Sequence, residues 1–235
     1  MAPSDTSKPP VPALATRELS KSYGDRLALA PLTISIAKGQ RVALVGHNGS
    51  GKTTLLRMAA GLLDPSGGVA KVHGTRAGSL KARARLAYLS DQPTFYDDLS
   101  LWEHLEFVAR MHGVDDWEER AAELVDTIGL ADRRDNIPTT FSRGLRQKAA
   151  IALAFVRPFR TLLVDEPFVG LDRSGKEALL RLLAGAYERG ATLIVATHEL
   201  SFVSSVDRLV ALGDGEVTFD GAPADADVHA LVLPA

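Results

Sequence analysis

The chain contains no cysteine. That removes disulfide scaffolds and thiolate metal sites together. Its six histidines are scattered, with no pair at zinc-ligand spacing. Long apolar runs are missing too. The longest, Ala149 to Val156, is eight residues, whereas a spanning helix needs about 20. Neither sign of charge dominates: 27 basic residues oppose 29 acidic ones, a net charge of −2. Such a balance gives no general pull toward nucleic acid or an anionic lipid surface.

What is present is ordinary for a globular protein. Hydrophobic residues make up 46% and charged residues 24% of 235 positions, which excludes disorder, collagen-like repeats and coiled-coil rods for the whole chain. At about 150 residues per domain, the length allows one or two domains. The segment Met1 to Ala13 holds four of the twelve prolines. It lacks the apolar core of a signal peptide and reads as an extended, solvated tail. Residues 1–15 are therefore expected to be a Pro-rich tail, with structure starting near Thr16. No internal repeat is visible.

The apolar pattern alternates between strand and helix. Ala15 to Ser22 and Leu27 to Ile36 are strand-like pieces joined by a turn at Gly24-Asp25. Gln40 to Val45 is a short apolar run ending in a glycine-rich loop, and Lys52 to Leu63 favours a helix. Val69 to His73 and Arg85 to Ser90 are further strand candidates. From Ser100 to Phe155 the spacing turns helical. Thr161 to Val164 and Thr192 to Ala196 are continuous apolar runs, the pattern of parallel strands covered on both faces. Val206 to Leu212 and Glu216 to Phe219 suggest a closing hairpin. The sum is an α/β sheet interrupted by a mostly helical insert.

Residues Gly46, His47, Asn48, Gly49, Ser50, Gly51, Lys52 and Thr53 form a full G-x-x-x-x-G-K-[ST] match, followed by Thr54. Glycines let consecutive backbone N–H groups curl around a phosphate. The helix that follows aims its N-terminal dipole at the same anion. Lys52 adds positive charge toward the β- and γ-phosphates, and Thr53 offers a hydroxyl to Mg²⁺. Strand Thr161 to Val164 delivers two adjacent carboxylates, Asp165 and Glu166. Unpaired buried charge is costly, so such a pair has few purely structural reasons to exist. Asp165 suits Mg²⁺, and Glu166 suits a base for an attacking water.

Further signals follow in one chain order: Tyr23, Gln92 after a strand, Phe141-Ser142-Arg143-Gly144-Leu145 opening a helix, Gly170-Leu171-Asp172, and His198 after a buried strand. Over Thr16 to Asp220 this order resembles the ATP-binding cassette (ABC) ATPases. The resemblance implies a P-loop NTPase core with a mostly parallel sheet, an N-terminal antiparallel β subdomain and an inserted helical subdomain at about 97–158, all within one domain, 16–235. It implies ATP and Mg²⁺ as cofactors. Tyr23 would stack on adenine. Gln92 would match the glutamine that senses Mg²⁺ and water, so that Thr53, Gln92 and Asp165 face the metal. Glu166, His198 and Gln92 would be the catalytic set, with His198 on the γ-phosphate. Ser142, Arg143 and Gly144 would meet ATP held by an opposing subunit, and Asp172 would communicate across that dimer.

The chain also departs from the family. The usual Leu-Ser-Gly-Gly-Gln reads Phe-Ser-Arg-Gly-Leu, with Arg143 for the first glycine and Leu145 for the glutamine. Arg143 has two readings, a phosphate contact or a solvent-facing side chain. Asp172 has two as well, communication across a dimer or an N-cap for the next helix. The variant motif, with Leu99 to Phe107, looks like ATPases of small bacterial exporters, heme-exporter-type or multidrug-type. About 16 residues follow Phe219, so a fused regulatory module of the sugar-importer kind is not expected.

The resemblance implies an ATPase subunit driving a separate transmembrane permease, export favoured, with homodimer or heterodimer open. It would sit on the inner face of the cell membrane through that permease. Phe95, Tyr96, Leu99 and Trp102 are candidates for the permease groove or, equally, for core of the helical insert. The alternative is a soluble non-transport ABC ATPase acting on DNA or ribosomes. Two cassettes or long coiled-coil inserts usually mark that class, and neither fits here. No nucleic-acid partner is expected, since no basic stripe is present. A GTPase or small-molecule kinase would share only the phosphate loop.

Overall fold

The computed structural model describes residues 10–232. The first nine residues of the expected tail lie outside that range. Ordered backbone begins ahead of the expected Thr16. The first strand, β1 (Leu14–Tyr23), opens at Leu14, because that residue pairs with Ile36 on one side and Val72 on the other.

In chain order β1 is followed by β2 (Arg26–Leu32), β3 (Ser35–Ile36), β4 (Arg41–Val45), α1 (Lys52–Ala60), β5 (Gly67–Val72) and β6 (Thr75–Arg76). Then come α2 (Leu80–Arg83), β7 (Leu86–Leu89), α3 (Leu101–Met111), α4 (Glu118–Thr127) and α5 (Arg143–Val156). The chain continues with β8 (Thr161–Asp165), α6 (Arg173–Glu188), β9 (Thr192–Ala196), α7 (Leu200–Val203), β10 (Arg208–Gly213), β11 (Glu216–Gly221) and α8 (Val228–Val232).

Two sheets form. The N-terminal sheet is antiparallel, in the order β2-β1-β5-β6 with β3 also on β1. The central sheet runs β11-β10-β4-β9-β8-β7. Its pairs are parallel except β10 with β11. The expected strand Leu27 to Ile36 divides into β2 and β3. The reason lies in the Thr16 hydroxyl: it donates to Leu32 O at 2.9 Å and accepts the Ile34 N–H at 3.0 Å, switching the chain between partners.

The central strands are apolar on both faces, and each face has a different cover. Along β4, Ala43 and Val45 join one core, while Val42 and Leu44 join the other. β8 and β9 alternate in the same way: Leu162 and Val164 against Leu163, Leu193 and Val195 against Ile194. One core holds the helical lobe of α3, α4 and α5. The other holds α1 and the N-terminal sheet. Burial on both sides is what a parallel sheet requires.

Local signals set the helix ends. Ser100 and Glu103 make a complete capping box on α3. Gly61, at φ 74°, accepts the left-handed turn that stops α1 three residues before the expected Leu63. Among the described residues no helix is long and apolar enough to cross a membrane.

Candidate functional site

The strand β4 is fully buried beyond its first residue and ends at Val45. The chain must then reverse to start α1, and it does so through glycines at positive φ: Gly46 at 139°, Gly49 at 87° and Gly51 at 104°. Gly46 also faces a wall. A Cβ there would lie 2.0 Å from Leu212 O of β10 and 2.8 Å from Ser50 Oγ. Gly46→Ala is therefore expected to cost about 2–3 kcal/mol, a Tm drop of about 5–10 °C by calorimetry. An unchanged Tm would show that the loop has more room than the structure gives it.

The loop and α1 open onto a cavity of 470 Å³. Its lining includes Asn48, Gly49, Ser50, Gly51, Lys52, Thr53 and Thr54, with Tyr23, Arg26, Asp91 and Glu166 around them. Lys52 is 6% exposed. Its ammonium reaches back over the loop, donating to Gly46 O at 2.6 Å and His47 O at 3.2 Å. Burial pushes its pKa down, and the nearby Glu166 and Asp165 carboxylates pull it back up. No acidic residue sits in the first turn of α1, so its N-terminal dipole is uncompensated. His47 itself turns away, with Nδ1 3.0 Å from Asn48 O and Nε2 3.4 Å from Asp214.

At the end of β8, Asp165 is 0% exposed. Burial pushes its carboxyl above the usual carboxylate range, and a hydrogen bond from the Thr53 hydroxyl opposes that shift. Tyr88 donates to Oδ2 at 3.5 Å, while Oδ1 has no hydrogen-bond partner among the described residues. An orphaned buried carboxylate oxygen beside a threonine hydroxyl fits a divalent cation. Among the described residues no cluster of three or more His, Cys, Asp or Glu forms a metal cage.

Glu166 follows at φ 43°, an uncommon conformation for a side-chain-bearing residue. Its N–H bonds Ala196 O of β9 at 2.8 Å, which fixes the turn. The side chain faces His198, with Oε1 3.1 Å from Nε2. Burial raises its pKa, countered by His198 and Lys52. Lys52, Thr53, Asp165, Glu166 and His198 thus come together from three separate segments.

Other expected residues lie elsewhere. Tyr23 is at the rim, 54% exposed, with Lys21 Nζ 5.1 Å from its ring centre. Gln92 lies outside the lining of the phosphate cavity. It lines a neighbouring 560 Å³ cavity with Arg57, Leu62, Phe95 and Arg157. The reason is the turn after β7, where Gln92 N–H is donated to Ser90 Oγ at 3.2 Å. Of the groove candidates, Phe95 lines that second cavity, but Trp102 packs on Trp117 at 5.0 Å inside the helical lobe.

Ser142 caps α5, accepting from Leu145 N–H at 3.4 Å. Arg143 is exposed and runs alongside Gly170. Gly144 allows close contact, since a Cβ there would lie 2.5 Å from Gly170 O. None of the three lines the phosphate cavity. Asp172 does cap α6, accepting from Gly175 N–H at 2.9 Å, and it also pairs with Lys148 of α5 at 2.9 Å. The Lys148 contact first, then the Gly175 N–H, holds its carboxyl below the usual range.

Two nearby residues escaped sequence reasoning. Arg26 lines the cavity mouth, and its guanidinium would contact a Cβ on Gly49 at 3.9 Å. Asp91 lines the cavity where Gln92 was expected. Arg26 had a weak signal, a cation three residues after Tyr23. Asp91 had only its place beside Gln92.

Comparison with known proteins agrees with this geometry. The family described as ABC transporter matches residues 29–169. The SkfA peptide export ATP-binding protein SkfE of Bacillus subtilis is 33% identical over 210 residues, 88% of each chain. The aliphatic sulfonates import ATP-binding protein SsuB of Pseudomonas putida is 34% identical over 209 residues, 88% of this chain and 75% of that one. A dimeric post-hydrolysis structure of the ATP-binding cassette MJ0796 with ADP and Pi superposes with a TM-score of 0.82 at 26% identity, covering 89% of this chain and 98% of that one. With the phosphate loop, the paired carboxylates and the interrupted parallel sheet in place, this chain belongs to the ABC transporter family as an ATP-binding, ATP-hydrolysing subunit.

Proposed function

We propose that this subunit powers a separate transmembrane permease, on the inner face of the cell membrane, by closing on ATP as a head-to-tail dimer. The observation that carries the reading is the convergence of Lys52, Thr53 and Glu166 on one cavity, with Asp165 beside Thr53 and His198 against Glu166. In this reading the backbone N–H groups of residues 48–53 and the Lys52 ammonium hold the triphosphate. Tyr23 stacks on the base at the rim. Thr53 and Asp165 would hold Mg²⁺, whose chemistry when bound would be to neutralise charge on the phosphate oxygens. Glu166 Oε2 or Oε1 takes the proton of the attacking water, and His198 orients that carboxylate through the 3.1 Å contact.

The dimer is supported by what lies away from the cavity. Ser142, Arg143 and Gly144 present the N-terminus of α5 at the surface, suited to a γ-phosphate bound by the opposite copy. Asp172, tied to Lys148 of the same helix, couples that surface to the loop after Glu166. The second cavity, lined by Leu62, Pro93, Phe95, Val108 and Leu153, suits a short permease helix. Export is the direction we assign, on the variant Phe-Ser-Arg-Gly-Leu motif; relatives named for export and for import both match the chain.

Gentle detergent purification of the tagged chain from membranes tests this. A co-purifying protein with several spanning helices is the expected result. Recovery of the chain only from the soluble fraction, without such a partner, would instead favour a non-transport ATPase.

A further inference from the structure

The near-neutral charge of the whole chain hides a local imbalance. Residues 65–90 hold five Lys or Arg and no Asp or Glu. The fold gathers part of that stretch on one surface. The short helix α2 buries Ala82 in the core and presents Leu80, Lys81 and Arg83 to solvent. Leu80 is 78% exposed, more than any other large apolar side chain among the described residues. The loop ahead of α2 packs on the end of α1, where a Cβ on Gly61 would lie 2.2 Å from Gly78 Cα. That close approach puts Leu62, 66% exposed, on the loop beside the one that carries Leu80. Arg76 lines a groove with Gly61, Gly78 and Ser79. From the link between α5 and β8, Arg157 reaches the same helix and donates to Arg83 O at 2.8 Å.

No carboxylate neutralises this group. Among the described residues, Arg76, Lys81, Arg83 and Arg157 make no ion pair, whereas Arg57 close by pairs with Asp91. Asp64 lines the same groove as Arg76 but pairs with none of the four. Arg157 Nε is buried with no hydrogen-bond partner, and burial pulls the pKa of that guanidinium down to about 10. Burial first, and the Arg157 charge second, hold His112 below the usual imidazole value. Unneutralised cations beside a protruding leucine are a poor arrangement in water. A surface that is anionic outside and apolar beneath satisfies both. Nucleic acid would meet the cations and leave Leu80 in water, and α2 carries no aromatic side chain to stack on a base. The patch is also continuous with the second cavity, because Leu62 and Arg157 belong to both.

Resting on the reading of that cavity as the permease side, we infer that α2 and its surroundings form a contact surface for anionic lipid. Leu80 enters between headgroups. Arg76, Lys81 and Arg83 meet their phosphates, and Arg157 adds to the positive field behind them. The contact holds the subunit with its second cavity turned toward the membrane.

Flotation of the full chain with vesicles is the test. Vesicles of phosphatidylcholine and phosphatidylglycerol are expected to carry the chain, vesicles of phosphatidylcholine alone are not, and raised salt is expected to release it. Replacing Lys81 and Arg83 together by Ala is expected to lower partitioning about 25-fold, at about fivefold for each cation near the surface. Leu80→Ser is expected to lower it about fivefold and leave the salt dependence in place, because its share is apolar. Lys81→Arg, which keeps the charge, is expected to keep the binding. These side chains are exposed, so an unchanged Tm should accompany the losses. Equal flotation on both vesicle types overturns the inference, as does a double variant within about twofold of the native chain. A chain that floats on neither vesicle, yet loses a co-purifying permease when Lys81 and Arg83 are replaced, also overturns it, since the patch then takes an acidic protein segment. The permease reading fails separately: charge-dependent flotation with no co-purifying permease removes that reading and leaves the lipid surface standing.

Discussion

Glu166→Gln is expected to lower ATP turnover at least about 100-fold while ATP still binds. The amide keeps the shape of the carboxylate and its reach to His198 Nε2, 3.1 Å away in the native protein. It cannot take a proton from water. Because binding survives and the step after it does not, ATP-bound dimers should accumulate and elute early from a sizing column. Turnover within about tenfold of the native rate would move the base elsewhere. A variant that stays monomeric with ATP would rule out the sandwich for the isolated subunit.

The same substitution makes a statement about stability with a definite sign. Burial raises the Glu166 pKa in the folded chain. Such a carboxyl binds more protons folded than unfolded, so stability falls as pH rises from the ordinary carboxylate value through the raised one. At neutral pH the ionised Glu166 is therefore a burden on the nucleotide-free fold. Glutamine removes that burden. The variant's Tm at pH 7 should match or exceed the native value, and the gap should close toward acid pH, where the native residue is already protonated in both states. This is the expected mark of a residue kept for chemistry rather than for stability.

Lys52→Ala is expected to weaken ATP binding about 10- to 100-fold, the loss of a charge-assisted contact to phosphate. Lys52 also has a structural duty, because its ammonium holds Gly46 O and His47 O. Lys52→Met, which also lacks the ammonium, controls for loss of the buried stem, and Tm and circular dichroism report the loss of the loop contacts. Methionine keeps most of the buried stem and removes only the charged end. Equal loss in both variants, with unaltered circular dichroism, assigns the effect to the phosphate. Native affinity in both, by fluorescent-nucleotide titration, would remove Lys52 from the site. Either variant also takes away a cation that favours ionised Asp165 and Glu166, so both carboxyls should shift further upward.

The parts of the site that were legible in the sequence are those whose chemistry sits in one contiguous stretch. Gly46 to Thr53 follows a buried strand and opens a helix, and each of those features has a local cause in the residue types. Asp165-Glu166 is equally local: a run of apolar residues must be a covered strand, and its end must be exposed to something that tolerates two charges. The break between β2 and β3 was not legible, because it depends on Thr16, a residue from another strand.

By itself, then, the sequence determined the phosphate loop, the paired carboxylates, the alternation of strand and helix, and the shortness of its apolar runs. These depend on residue type, spacing and hydrophobic period, which act over a few neighbours. Only the tertiary structure decided which side chains share the cavity. It put His198 against Glu166 across two strands, brought Arg26 to the mouth, and tied Asp172 to Lys148. It also set Asp91 and Gln92 on different cavities, through one serine hydroxyl that pins a turn. Adjacent residues on an irregular turn point in different directions, and the choice between them is made by hydrogen bonds and packing that spacing alone does not encode. The lack of a long apolar run gains its meaning the same way. In an ATP-binding, ATP-hydrolysing ABC subunit it accords with the proposal that a separate permease carries the transport pathway.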